Sequence, residues 1–420
     1  MAVRTQAAED GRITDEDVDR ARRTIGIPTP GRSTSWVDVA DASSISHFAF
    51  GYGDDNPLWH SRSYGESTRW RGQPAPPLYV IAVGVNETPS LDDEARALFK
   101  GLFRGVGKYY AGVELEWYRP IFPGDEVFLD RATSDVAVKE SSFSGGRSVI
   151  EMYQTLYVDR AGAPFAVRRE RYVNAERDAS KSSGKHKDRA RQTWTPEHIA
   201  ELDTVYAAEE RRGPAPRWWE DVAVGDQLVP VMKGPLTLVD IISMHMGMGW
   251  GGYGIGPLRY GWKQRTKMPG FYAPDPYGVP DVVQRLHWDA DRAAEVGLPA
   301  PIDYGQMRTC WLSHLVTNWM GDDGWLWKLD CDTRGFNFMG DATLCTGMVA
   351  AKEVVDGHHV AHLELAAINQ RCEVTAPGKA TVILPSREHG PARLPAPPVL
   401  LSDRGAEVAT ASATRRRSTP

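Results

Sequence analysis

Only four cysteines occur in the 420 residues, Cys310, Cys331, Cys345 and Cys372, and all lie in the last third. None forms a C-x-x-C pair or stands at zinc spacing from a histidine, which sets aside a disulfide framework and a structural metal site. They read instead as reduced thiols filling a core. No run of roughly 18 apolar residues exists, so no membrane span is expected. The polar, acid-bearing N-terminus is unlike a secretory signal or transit peptide, so a cytoplasmic protein is expected. Positive charge is not in excess: 49 Lys and Arg stand against 55 Asp and Glu, a formal net charge of −6. That balance argues against nucleic acid as a partner, because neutralising phosphates needs a basic surface. A G-x-S-x-G elbow, a P-loop and a G-x-G-x-x-G after a strand are all missing. The glycine-rich stretch 247–254 follows a helical pattern and reads as a flexible connection.

What is present is a two-part pattern. In the first part, Thr14 and Asp17 mark a helix start, and Ile45, Phe48, Ala49 and Tyr52 form an i, i+3, i+4, i+7 stripe. The segment Gly53-Asp54-Asp55-Asn56-Pro57-Leu58-Trp59-His60 follows, then Gly72-Gln73-Pro74-Ala75-Pro76-Pro77. Strand-like runs come after, at 113–118, 126–135, 147–158 and 164–173. Residues 175–193 are polar and serine-rich, the composition of a linker, and Thr195-Pro196-Glu197 opens a helix.

From Trp218 the order repeats. Thr237 and Asp240 form a capping box before the stripe Ile241, Met244, His245 and Met248. His287-Trp288-Asp289 then precedes Gly297-Leu298-Pro299-Ala300-Pro301, and strands close the unit with a hairpin turn at Asp356-Gly357. These landmarks predict an α+β fold with two units, at 35–175 and 217–386. A linker plus helix (176–216) joins them, and an aperiodic tail from 387 to 420 reads as disordered. Because exposed edges are a liability, the strands of the two units are expected to pair edge to edge.

D-D-N-P taken alone is ordinary turn chemistry. Placed after an amphipathic helix and inside a duplicated unit, it marks a candidate site. Gly53-Asp54-x-Asn56-Pro57-Leu58-x-His60 resembles the signature of the MaoC-like, (R)-specific enoyl-CoA hydratases and related dehydratase domains. The two consecutive units are similar to the double-hotdog members with a fatty-acid-synthase-type dehydratase domain in front. The resemblance implies a long helix wrapped by a curved antiparallel sheet in each unit. It further implies reversible hydration of a trans-2-enoyl thioester, with coenzyme A or a carrier protein as the thiol, and no metal or redox cofactor.

Hydration of such a thioester needs a water held and deprotonated near C3, a proton for C2, and donors for the thioester oxygen. Asp54 and His60 are assigned as the acid/base dyad on these grounds. Asn56 shapes the loop, and the backbone near Val80 falls where the family places an oxyanion donor. The sequence departs from the family twice. Its Asp-to-His offset is six rather than five, and Tyr79-Val80 stands where His-Gly is common. The second unit has Gly305 at the corresponding oxyanion position, and Asp281 lies six residues before His287, giving a candidate second site. A hydro-lyase is therefore expected, with a non-catalytic acyl-CoA-binding protein or a hotdog thioesterase as alternatives. Assembly into a homo-oligomer is compatible with the sequence.

Overall fold

Capping and periodicity translate directly into the front of each unit. The computed structural model describes residues 11–30, 36–85, 91–141, 146–176, 189–249 and 255–418. Helix α1 (Asp15–Arg23) starts at Thr14, whose hydroxyl accepts the Asp17 N–H at 3.0 Å. Helix α2 (Ala42–Gly51) is capped by Asp41 and buries Ile45, Phe48 and Ala49. Short helices α3 (Pro57–His60) and α4 (Arg62–Ser67), a 3-10 turn (Pro77–Ile81) and α5 (Asp93–Phe99) lead to the strands. These are β1 (Gly107–Trp117), β2 (Phe128–Ser141), β3 (Gly146–Val158) and β4 (Pro164–Ala175). Helix α6 (Pro196–Ala207) opens with proline at its first position, as Thr195-Pro196 predicts.

The second unit contains β5 (Val231–Lys233), α7 (Leu238–Gly247), α8 (Leu258–Lys267) and the small hairpin of β6 (Tyr272–Pro274) and β7 (Pro280–Val282). Next come α9 (Ala290–Glu295), α10 (Gly305–Met320), β8 (Trp325–Asp332), β9 (Thr343–Val355), β10 (His358–Asn369) and β11 (Val374–Ile383). Asp356 and Gly357 join β9 to β10 with φ of +50° and +79°, the left-handed pair of a tight hairpin.

The large sheet has nine strands in the order β2-β3-β4-β1-β8-β11-β10-β9-β5. The sequence β2-β3-β4-β1 is repeated in mirror order as β8-β11-β10-β9, so the duplication is real at the level of topology. The halves meet where β1 pairs antiparallel with β8, from Gly112↔Asp332 to Glu116↔Lys328. The expected edge-to-edge junction is therefore present. Helices α2 and α7 cross at their last residues: a Cβ on Gly51 would lie 2.9 Å from the Ser243 carbonyl, and one on Gly247 2.8 Å from that of His47. One apolar core runs through both units, from Phe48 and Leu115 to Leu315 and Leu363. Among the described residues no helix is long and apolar enough to cross a membrane.

The two-unit α+β double hotdog is thus as expected, with three local differences. Among the described residues, only the second unit has a long central helix, α10, with fourteen of its sixteen residues buried. In the first unit the matching place is taken by the 3-10 turn, because β-branched Val80, Ile81 and Val83, then Gly84 and Pro89, disfavour a helix. The expected disordered tail instead carries α11 (Val399–Ser418). Leu401 and Val408 pack on Phe128, Leu156 and Val158, and Gly405 meets Gly162 where no side chain would fit. Cys372 is exposed in a tight turn and is not core filler. Most of the predicted linker, 177–188, lies outside the described residues.

Candidate active site

The D-x-N-P segment folds as its residue types dictate. Gly53 takes φ +71°, and the Asp54 carboxylate accepts the Asn56 N–H at 3.0 Å. Asn56 caps α3 by accepting the Leu58 N–H at 3.0 Å, with Pro57 at the first helical position. The second oxygen of Asp54 accepts the Tyr52 hydroxyl and the Trp59 indole N–H, both at 3.0 Å. Asp54 is buried, with 2% of its surface exposed.

His60 faces the other way. It is exposed, and its Nε2 bonds the backbone carbonyl of Asp54 at 2.7 Å. The structure therefore places the two residues on one loop but does not bring imidazole and carboxylate together. Helical geometry accounts for it: neighbours on α3 point about 100° apart, so only one can face Asp54. The six-residue offset gives that place to Trp59.

The imidazole that does approach Asp54 comes from the second unit. His314, buried in α10, has its Nε2 3.5 Å from the Asp54 carboxylate and 3.4 Å from that of Glu209. Its Nδ1 lies 2.8 Å from the ammonium of Lys233 on β5. Lys233 also donates to the carbonyls of Tyr52 (3.1 Å) and Gly53 (2.9 Å), so all three of its protons have acceptors. Nε2 also lies 3.1 Å from the amide nitrogen of Asn318, which donates to Glu209 at 3.0 Å, so both ring nitrogens have a donor group beside them. Burial lowers the His314 pKa to about 4 and also lowers that of Lys233, while Asp54 opposes both shifts. His314 is thus a neutral ring at physiological pH. Potential metal-ligand atoms of Asp54, Asp55 and His314 lie within 4.8 Å of one another, but Lys233 and the Arg211–Asp55 ion pair already supply positive charge there. The sequence signal for His314 was a His, Thr and Asn at positions 314, 317 and 318, one face of a helix that lacks acidic residues.

Among the described residues, no bond joins Asp281 to His287 in the second unit. Asp281 accepts the N–H of Val282 at 2.6 Å within the small hairpin. His287 bonds the Ile302 carbonyl at 2.9 Å, stacks on Tyr304 at 4.0 Å, and is lowered to about 4 by burial. Gly305 opens α10 where a Cβ would come within 2.7 Å of the Tyr110 ring, so the glycine serves the contact between units. Gly249, with φ +62°, follows α7 as Gly53 follows α2. The positional counterpart of D-x-N-P consequently falls on 250–253, outside the described residues.

A pocket opens beside the first-unit loop. Asn56, Trp59, Pro77 and Val80 line one side, and Thr317, Met320 and Asp322 from the end of α10 the other. Asp54, His60, Gly305 and His314 are not among the residues that line it. Besides His314, Lys233 and Glu209, sequence reasoning missed Asp322, buried on the pocket wall, where its carboxylate accepts the Tyr64 hydroxyl at 2.7 Å.

Residues 28–168 match a family model described as the FAS1-like dehydratase domain region. No curated protein matches the chain. Among solved structures, one titled a MaoC-like dehydratase is similar over 87% of this chain and 99% of its own, with 16% identity and a TM-score of 0.58. A MaoC domain protein dehydratase from Chloroflexus aurantiacus is similar over 86% and 95%, with 13% identity and a TM-score of 0.51. At these identities the likeness is one of fold.

Proposed function

From a chain with a FAS1-like dehydratase region in its first unit and the fold of MaoC-like dehydratases throughout, we propose a hydro-lyase acting on acyl thioesters. The reaction is reversible addition of water to a trans-2-enoyl thioester, giving a 3-hydroxyacyl thioester. The observation that carries this reading is convergence: the D-x-N-P loop, the Val80 turn and the end of α10 all line one pocket, and the Asp54–His314 pair stands directly behind the loop. The pair is 3.5 Å apart, near enough for one water beside it to touch both carboxylate and imidazole. Asp54 takes that water's proton as the hydroxyl adds at C3 and returns it to C2, while neutral His314 holds the water by a hydrogen bond, so the proton count closes without an ionised ring. Asn56 and the backbone at Val80 orient the thioester. His60 lies outside this machinery.

The test uses loss of enoyl-thioester absorbance on a panel of enoyl-CoAs. Asp54→Asn and His314→Gln are each expected to lower turnover by about 100-fold or more, while His60→Ala changes it by less than about twofold. No turnover by folded protein on any chain length overturns the reading, and release of free thiol without loss of the double bond identifies a thioesterase.

One observation favours a second reading, a non-catalytic acyl-thioester-binding protein. Tyr52, Asn56 and Trp59 already donate three hydrogen bonds to Asp54, as they would to a carboxylate that only holds structure. That reading requires thioester binding that survives Asp54→Asn with no turnover in the parent protein.

A further inference from the structure

We propose that the pocket selects a flat, ring-bearing acyl group carrying a polar substituent, which the carboxyl of Asp322 receives. The inference rests on the acyl-thioester reading and adds the class of acyl group to it.

Four tryptophans wall the pocket, Trp59, Trp70, Trp117 and Trp325. Each indole N–H is already committed inside the protein. Trp59 donates to Asp54 (3.0 Å), Trp70 to the Asp322 carbonyl (2.9 Å), Trp117 to the Pro77 carbonyl (2.8 Å) and Trp325 to the Trp117 carbonyl (3.1 Å). With their polar edges tied down, the rings offer a ligand only hydrocarbon faces. The same bonds pin their rotamers, and the 74–77 proline turn beside them is equally stiff. A rigid aromatic box gains most from a rigid flat guest, which stacks on the faces and loses little conformational freedom. A saturated chain of equal carbon number loses several rotors on entering and cannot stack.

Asn56, Arg119, Thr317 and Asp322 interrupt this apolar lining, and Asp322 is the carboxylate among them. It is 4% exposed, and one carboxyl oxygen accepts from Tyr64. The other oxygen bonds no described residue. Burial pushes the carboxyl up, and the oxygen that Tyr64 leaves free can accept a hydrogen bond from a ligand hydroxyl. That oxygen is not shut off from solvent, so a polar group of the ligand can take the place of water on it.

The test measures binding by quenching of intrinsic tryptophan fluorescence, using the full chain and three probes: cinnamoyl-CoA, 4-hydroxycinnamoyl-CoA and trans-2-nonenoyl-CoA. The ring-bearing thioesters are expected to bind about tenfold more tightly than the nonenoyl thioester. Trp70→Leu is expected to erase most of that preference and Trp70→Phe to keep it. Asp322→Leu is expected to remove the advantage of the hydroxylated over the plain ring, and Asp322→Asn to retain it. Equal or tighter binding of the nonenoyl thioester overturns the ring selection while leaving the thioester reading intact. A hydroxyl advantage that survives Asp322→Leu, or none in the parent protein, overturns the role of Asp322. Failure of all three probes to bind folded protein sinks the thioester reading and this proposal together. The parent comparison decides the ring selection even where a variant fails to fold.

Discussion

An ammonium group has three protons to place, and Lys233 places them on two carbonyls of the D-x-N-P loop and on Nδ1 of His314. This one side chain therefore ties the first unit's loop to the second unit's central helix. The ring itself resists protonation, being held near pKa 4 by burial against an ordinary 6.5. The unfolded chain takes up a proton near pH 6.5 and the folded chain does not, so stability present above pH 6.5 is lost as the pH falls towards 4. His287 adds a loss of the same sign in the same window. Urea midpoints followed from pH 7.5 to 4 should fall steadily, and His314→Asn should make the dependence shallower by up to about 1.4 kcal/mol per pH unit. An unchanged slope would show that His314 titrates normally. Little of this cluster was legible in the sequence. Asp54 was readable because D-x-N-P carries turn chemistry of its own. His314 was not, because a polar residue inside a buried helix has no local signal of what it faces. The exchange of Trp59 for His60 was equally hidden, since it depends on which way a single helical turn points.

At the scale of elements, the crossing of α2 and α7 leaves no space for side chains at Gly51 and Gly247. Alanine at either position must push the helices apart or strain a carbonyl contact. Each substitution is expected to cost about 1–3 kcal/mol, read as a lower thermal midpoint with the fold retained; a neutral result at both would mean that the crossing is looser than its geometry states. Caps and strands were the most readable elements. Thr14, Thr237 and Thr195 each begin a helix, and the four strand runs of the first unit overlap the observed strands, 147–158 and 164–173 lying wholly inside them. These features are local, so sequence contains them. The failed helix after Pro77 was also local in cause, through its β-branched residues, glycine and proline, but the analogy between units masked it. Helix α11 escaped notice for the opposite reason: its docking face is a single glycine and two apolar residues, made useful only by Gly162 across from it.

For the whole molecule, the continuous sheet and shared core mean that neither half has a complete surface of its own. Strand β1 cannot leave β8 without exposing an edge, and Arg171 binds Glu114 in its own unit together with Asp330 and Asp332 in the other. Unfolding should therefore be a single cooperative transition, with circular dichroism and tryptophan fluorescence reporting the same midpoint. Two separated transitions would show that the units behave as independent domains.

The seam between β1 and β8 has one more effect. When two identical subunits share such a seam, symmetry repeats every substitution, and a change useful on one side is imposed on the other. Covalent joining removes that constraint. Here, among the described residues, one half carries D-x-N-P and a short 3-10 turn, while the other carries the long helix whose histidine faces its neighbour's loop. The chain is arranged like a heterodimer whose partners can never dissociate, each free to differ from the other.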